Sequence, residues 1–131
     1  MRELTNHKVN GLNEALRIEV LDEPGSGSAC HKYRIVYEEP AQAPELQRVG
    51  LGSFTVPIEF QNGPIQEAGV NGISNEALLA IVEDRLLGFQ SGPFRCPENG
   101  AALIRVHEAM MWLRSRTRDR AARGVEGTNQ L

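Results

Sequence analysis

Apolar and polar positions alternate along three stretches of the first half of this chain, and then the period changes. Leu16, Ile18 and Val20 alternate with Arg17 and Glu19. Tyr33, Ile35 and Tyr37 alternate with Arg34 and Glu38. Phe54, Val56, Ile58 and Phe60 alternate with Thr55, Pro57 and Glu59. A period of two marks strands with one dry face. Pro57 has no N–H to give to a ladder, which assigns the third run to an edge strand or a bulge. Pro24 to Ser28 and the segment from Pro40 to Gly52 carry turn and loop chemistry. Gaps this short predict an antiparallel meander. Residues 1–10 read as a polar, loosely ordered arm.

The loop Gly69-Val70-Asn71-Gly72-Ile73 ends this regime. Ser74 then stands as a helix N-cap, with Asn75 and Glu76 in the first turn, where the helix dipole favours an anion. Leu78, Ile81, Val82, Arg85, Leu86 and Phe89 follow a helical period, and Gln90-Ser91-Gly92-Pro93 stops it. Pro97 suits the first position of a second helix. Leu103, Val106, Met110, Leu113 and Thr117 extend a stripe along it towards Gly124, a good C-cap. This second helix is about 26 residues, roughly 39 Å at 1.5 Å per residue. The expected fold class is α+β: a small antiparallel β-sheet in residues 1–68, then a two-helix antiparallel hairpin in residues 69–131 with a long C-terminal helix. Part of that helix outruns its partner. An amphipathic helix with a heptad-like seam left uncovered pairs with another copy of itself, so the chain is expected to form a homo-oligomer.

Charge changes the picture at one place. The 131 residues carry a net charge of −3. Residues 1–100 hold 8 Lys/Arg against 14 Asp/Glu, and residues 101–131 hold 6 against 3. Five of those six are Arg114, Arg116, Arg118, Arg120 and Arg123, in the last turns of the long helix, with Asp119 among them. An acidic chain that gathers arginine at one helix end has a local anion site rather than a general polyanion surface. At 100° per residue Arg116, Arg120 and Arg123 share one face, and Arg114 and Arg118 point to nearly the opposite side. Two readings fit this spacing. Guanidinium forks bind phosphate through paired, charge-assisted hydrogen bonds. Cations at a helix C-terminus also complement the macrodipole with no ligand at all.

The remaining candidates are few. The chain is one domain or two small lobes. No apolar run approaches the ~20 residues that span a bilayer, and no signal-peptide core is present, so a cytoplasmic protein is expected. Cys30 and Cys96 define no disulfide framework, and Cys30-His31 lacks a second ligand pair for zinc. His7 and His107 stand alone and read as structural. No phosphate-binding P-loop, dinucleotide fingerprint, zinc-protease or nucleophile-elbow motif occurs. Glu83 and Asp84 are adjacent on a helix and do not face each other. Asp119 and Glu126 have no evident acid–base partner. The chain therefore reads as a binding protein, with no cofactor, no metal and no catalytic set. Of seven aromatic residues, Phe89 and Phe94 flank the turn between the helices. They read either as a plug closing the hairpin or as a stacking platform for a base. Asn99, in the first turn of the long helix, is either an exposed helix-start residue or a reader of a base edge or ribose. These residues lie near one end of the long helix and the arginines near the other. A site that uses both must be built between subunits, with two long helices antiparallel. A small nucleic-acid-binding module is the rival reading of the arginine helix, and the acidic remainder argues against it.

One combination of segments is more specific than any of its parts. It comprises Gly69-Val70-Asn71-Gly72-Ile73-Ser74-Asn75-Glu76, Arg85-Leu86-Leu87-Gly88-Phe89-Gln90, Cys96-Pro97-Glu98-Asn99, the run from Leu113 to Arg120, and Arg123-Gly124-Val125-Glu126-Gly127-Thr128. Across about residues 69–128 it resembles the Tad-type Thoeris anti-defence proteins of phages, signal "sponges" that share a helical hairpin with the sponges acting against CBASS immunity. The resemblance implies capture, without cleavage, of a glycocyclic ADP-ribose messenger in the host cytoplasm, and assembly from dimers into hexamer-like particles. Some members also hold cyclic di- or trinucleotides in separate sites, whose residues do not map onto the N-terminal region here. By the same resemblance Phe89 stacks on the base, Asn99 contacts the base or ribose, and Arg116 and Arg120 bind the pyrophosphate. Arg123 and the segment from Gly124 to Thr128 help to close the pocket. No membrane or nucleic-acid partner is implied.

Overall fold

The structure, a computed structural model, describes residues 1–40, 50 and 52–131. It separates into two compact units, Met1–Asn62 and Gly63–Leu131. Most of the segment read as a loop from Pro40 to Gly52 lies outside the described residues.

In the first unit, strands β1 (Arg2–Leu4), β2 (Arg17–Val20), β3 (Lys32–Tyr37) and β4 (Phe54–Glu59) form one sheet in the order β1-β2-β3-β4, each antiparallel to the next. The meander follows from the period-two pattern. Leu4, Ile18, Ile35 and Val56 stand opposite one another across all four strands, on the same face as the row Arg2, Val20, Tyr33 and Ile58. Tyr33 meets Phe60 edge to face at 5.7 Å between ring centroids. Pro57 lies in the edge strand β4, where a missing N–H costs no ladder bond to a further strand.

The other face carries charge. Glu19, opposite both Glu3 and Arg34, is 3% exposed. Arg34 donates to it twice, Nε to Oε1 at 2.7 Å and a second guanidinium nitrogen to Oε2 at 3.4 Å. Arg17 lies 3.8 Å from both Glu3 and Glu19 and 3.3 Å from Glu38. The hydrogen bonds from Arg34 hold the Glu19 carboxyl below the usual glutamate range, against the opposing effect of burial, and the charges of Arg34 and Arg17 add to them. The same pair raises the Arg34 pKa.

Three elements here depart from the pattern read in the sequence or were not visible in it. Part of the N-terminal arm is ordered: residues 2–4 pair with β2 as an edge strand, too short for any periodicity to show. Helix α1 (Gly11–Ala15) follows, capped by Asn10, whose side chain accepts from the Asn13 N–H at 2.8 Å. His7 fastens the two by a 2.6 Å contact between Nε2 and the Leu16 carbonyl. The glycine-rich turn tightens into one 3-10 turn, Ser26–Ser28. Asp22 ties it to β3 by accepting from the His31 and Lys32 N–H groups, His31 at 3.0 Å. Burial alone would raise the Asp22 pKa, and those N–H bonds reverse the sign to a net lowering.

The second unit opens with a short helix, α2 (Ile65–Ala68), also unforeseen. The division between units therefore falls ahead of α2 rather than after it. Helix α3 (Asn75–Gln90) is capped by Ser74, which accepts from the Ala77 N–H at 3.1 Å. Helix α4 (Pro97–Ala122) has Pro97 in its first turn and runs 26 residues against 16 for α3. The two are antiparallel: Gln90 at the end of α3 accepts from the Cys96 N–H at 3.0 Å, and Glu83, two turns earlier, meets His107, further along α4, at 3.3 Å. Met110 is buried, and Leu103, Val106 and Leu113 are partly buried, so the predicted stripe is the seam up to Leu113. Thr117, its last expected member, is exposed and returns its hydroxyl to the Leu113 carbonyl. The N-cap of α4 is Cys96, whose Sγ accepts from the Asn99 N–H at 3.4 Å.

Candidate functional site

The predicted site residues fall into two groups, one at each end of α4. The first is at the hairpin turn. Ser91 closes the last turn of α3 by donating its hydroxyl to the Gly88 carbonyl at 2.8 Å. This places Phe89 in the final turn of α3 and Asn99 in the first turn of α4. Phe89 is 41% exposed and Phe94 76% exposed, so neither ring serves as a buried plug within this chain. The guanidinium carbon of Arg85, one helical turn before Phe89, stands 5.5 Å from its ring centroid. Asn99 is partly exposed, with its backbone N–H tied to Cys96.

The second group is at the other end. From Asn99 to Arg116 is 17 helical steps, about 26 Å, and the structure does not bring the two groups together within one chain. Gly124, at φ 73°, follows the helix and lets it end in a double turn-back, with the Gly124 N–H on the Ala121 carbonyl and the Val125 N–H on the Arg120 carbonyl. That turn directs the segment from Val125 to Gln130 back beside the arginines.

The three arginines read as one face have three different environments. Arg120 is buried at 9% exposure, and its guanidinium is spent largely on the tail. Nε donates to Glu126 Oε2 at 3.2 Å, one terminal nitrogen to the Gln130 carbonyl at 2.7 Å, and the other to the carbonyls of Val125 at 3.0 Å and Thr128 at 3.1 Å. A guanidinium has five N–H donors in a fixed fork, so four are used. Arg123 is half exposed. It pairs with Asp119 at 3.1 Å and donates to the Leu131 carbonyl at 2.7 Å. Arg116 is exposed, and among the described residues no hydrogen bond or ion pair engages its side chain. On the far side Arg114 donates Nε to the Met110 carbonyl at 3.3 Å. Among the described residues, Asp119 and Glu126 are the carboxylates paired within this cluster, and Arg114, Arg116 and Arg118 have no carboxylate partner.

The tail is anchored twice. Beyond Arg120, helix α2 donates the Gln66 N–H to the Gly127 carbonyl and the Gln66 side-chain amide to the Glu126 carbonyl, each at 3.2 Å, and the Asn129 side chain donates to Glu67 at 3.2 Å. A Cβ at Gly127 would meet Ile65 at 3.1 Å, and its φ of 79° already favours glycine. Sequence reasoning missed both anchors, because the partners of Arg120 are mostly backbone carbonyls, which any residue supplies. It also missed Arg85 beside Phe89, although the i, i+4 spacing was a usable signal.

Elsewhere the histidines are engaged structurally. His31 contacts the Ser26 carbonyl through Nε2 at 2.9 Å, and His107 meets Glu83. Among the described residues no group of His, Cys, Asp and Glu could hold a metal ion, and both cysteines are free thiols. No helix among these residues is long and apolar enough to cross a membrane.

With this geometry in hand, two likenesses bear on the chain. The family model described as the Acb2/Tad1 hairpin domain matches residues 55–118, from β4 through most of α4. A curated relative, Thoeris anti-defense 1 of Bacillus phage SBSphiJ7, is 49% identical over 105 residues, covering 80% of this chain and 74% of the relative.

Proposed function

This chain belongs to the Thoeris anti-defense 1 family, and we propose on that premise that it acts against Thoeris immunity by binding a glycocyclic ADP-ribose messenger and holding it uncleaved. The observation that carries the reading is the arginine end of α4, where five guanidinium groups stand among two paired carboxylates on a chain that is otherwise acidic. A pyrophosphate answers that excess, and Arg116, with its donors uncommitted, is its first contact. Arg120 acts beside it while ordering the tail, and Arg123 and the tail close the pocket. Phe89 stacks on the base, and Asn99 reads the base or ribose edge.

Because the two groups lie about 26 Å apart along one helix, a pocket using both requires a second copy with α4 antiparallel. Large apolar side chains left exposed on the hairpin support such pairing: Ile81 at 59%, Leu87 at 52%, Ile104 at 63%, Met111 at 54% and Trp112 at 70%. The active particle on this reading is a homo-oligomer built from dimers, a hexamer in its full form, working in the host cytoplasm. To starve an effector it must bind at nanomolar strength, about −12 kcal/mol. Arg116 at about 1.5–3 kcal/mol, the one uncommitted donor of Arg120, and one stacked base at about 1–3 kcal/mol supply part of this, and a preordered tail reduces the cost of ordering the pocket.

The test is capture and release. The protein is mixed with glycocyclic ADP-ribose, free ligand is removed, the protein is heat-denatured, and the released fraction is identified by chromatography and mass. Intact messenger at stoichiometric yield is expected. A changed product would make the protein an enzyme, and an empty fraction would turn the search to cyclic di- and trinucleotides and then to nucleic acid, whose binding would fall steeply with salt.

A further inference from the structure

We infer that Arg85 is a positioning residue for the base: it holds the Phe89 ring as a one-sided platform, so the strength of capture depends on Arg85 through that ring. The inference rests on the sponge reading above and goes beyond its residues, none of which includes Arg85.

Arg85 and Phe89 are one helical turn apart on α3, and the guanidinium carbon lies 5.5 Å from the ring centroid, inside the ~6 Å reach of a cation over an aromatic face. Among the described residues no carboxylate pairs with Arg85, so no ion pair draws it off the ring. Phe89 is 41% exposed, so its ring is not enclosed within this chain. A ring in that position, at the last turn of a helix, would otherwise exchange between rotamers. The guanidinium over one face favours a single orientation and leaves the opposite face for a planar π-system. Polarised by the cation, the ring suits a base rather than an aliphatic group. A lysine at residue 85 would keep the charge and lose the flat contact.

The experiment is a double-mutant cycle on messenger affinity, read by calorimetry with melting temperatures alongside. Arg85→Ala is expected to weaken capture of glycocyclic ADP-ribose about two- to fivefold, the size of an exposed cation–π contact, with an unchanged Tm. In a Phe89→Leu background the same change is expected to have no further effect, because its target is gone. Arg85→Lys is expected to fall between wild type and Arg85→Ala. If Phe89→Leu lowers the Tm, Phe89→Met takes its place. Equal losses in both backgrounds would overturn the inference, since Arg85 would then act as a free cation towards phosphate. No loss in the wild-type background would overturn it as well. A wild type that captures no messenger would sink the sponge reading and this assignment together, whereas a capturing wild type with an additive cycle sinks this assignment alone.

Discussion

The sheet and the hairpin both concentrate arginine, and they use it in opposite ways. In the sheet, Arg17 and Arg34 face the carboxylates of Glu3, Glu19 and Glu38, so acids outnumber bases and the donors point at fixed partners. The pairing spans β1, β2 and β3 and makes the like-charged neighbours Glu3 and Glu19 tolerable in register. At the end of α4 stand five arginines and, among the described residues, two paired carboxylates, Asp119 with Arg123 and Glu126 with Arg120. There the buried member, Arg120, is satisfied mainly by backbone carbonyls, which neutralise no charge. Matched charge specifies how strands meet. Unmatched charge leaves capacity for an anion from outside, and Arg120 spends part of that capacity on ordering the tail beside it.

Changes on the two sides should therefore fail differently. The largest effect is expected for Arg120→Ala, which on the proposed reading removes a pyrophosphate contact and which strips the donors from Glu126, Val125, Thr128 and Gln130 at once. Messenger capture should be lost, and stability should fall by about 1–3 kcal/mol from the acceptors left unpaired. Hydrogen exchange should rise across residues 124–130. Capture lost with exchange unchanged would mean that the tail is held by α2 alone. Arg116→Ala comes next. Capture should weaken by about ten- to a hundredfold, the worth of one charge-assisted phosphate contact, with no change in Tm. An unchanged affinity by calorimetry would remove Arg116 from the pocket.

On the sheet side, Glu19→Gln should lower the Tm at neutral pH while leaving capture intact. The sign follows from linkage. The folded pKa of Glu19 is depressed, so its stabilising contribution is complete above the unfolded glutamate value of about 4.3 and is lost as pH falls through the folded value. Melting temperatures measured from pH 7 down to 3 should drop more steeply for wild type than for Glu19→Gln. Parallel curves would show that the Arg34 pair is not what acid breaks.

How far the sequence was legible divides along similar lines. The hairpin was readable because each of its determinants is a side chain acting at short range: Ser74 as cap, Pro97 at a helix start, Gly124 past a helix end, and the stripe from Leu103 to Leu113. The three longer strands followed from alternation. Strand β1 was not readable, because three residues cannot display a period and pairing with β2 is what defines it. Helices α1 and α2, of five and four residues, were missed for the same reason. At the site, residue identities pointed to an anion at the end of α4, but the different environments of Arg116, Arg120 and Arg123 were hidden. They depend on where the chain returns after Gly124, and the acceptors at residues 125, 128 and 130 are main-chain oxygens that leave no trace in the pattern.

Arg123 provides the smallest and most discriminating change. It resembles the sheet arginines in having a carboxylate partner, Asp119 at i−4, and the arginines of the proposed pocket in its place on the helix. Its side chain is 49% exposed and that of Asp119 67%, so this ion pair contributes at most about 0.5 kcal/mol to stability. If Arg123 belongs with the compensated arginines, Arg123→Ala should leave messenger affinity unchanged. If it belongs with the pocket, affinity should fall while Tm stays constant. We expect a loss of a few-fold, smaller than for Arg116→Ala because one donor is already committed to Asp119 and another to the Leu131 carbonyl. Asp119→Asn should then do the reverse, freeing Arg123 and tightening capture slightly, more so at low salt, where unscreened charge counts most. Affinities of the two variants measured at two ionic strengths decide the matter: opposite shifts that shrink with salt assign Arg123 to the pocket, and no shift in either assigns it to the helix end alone.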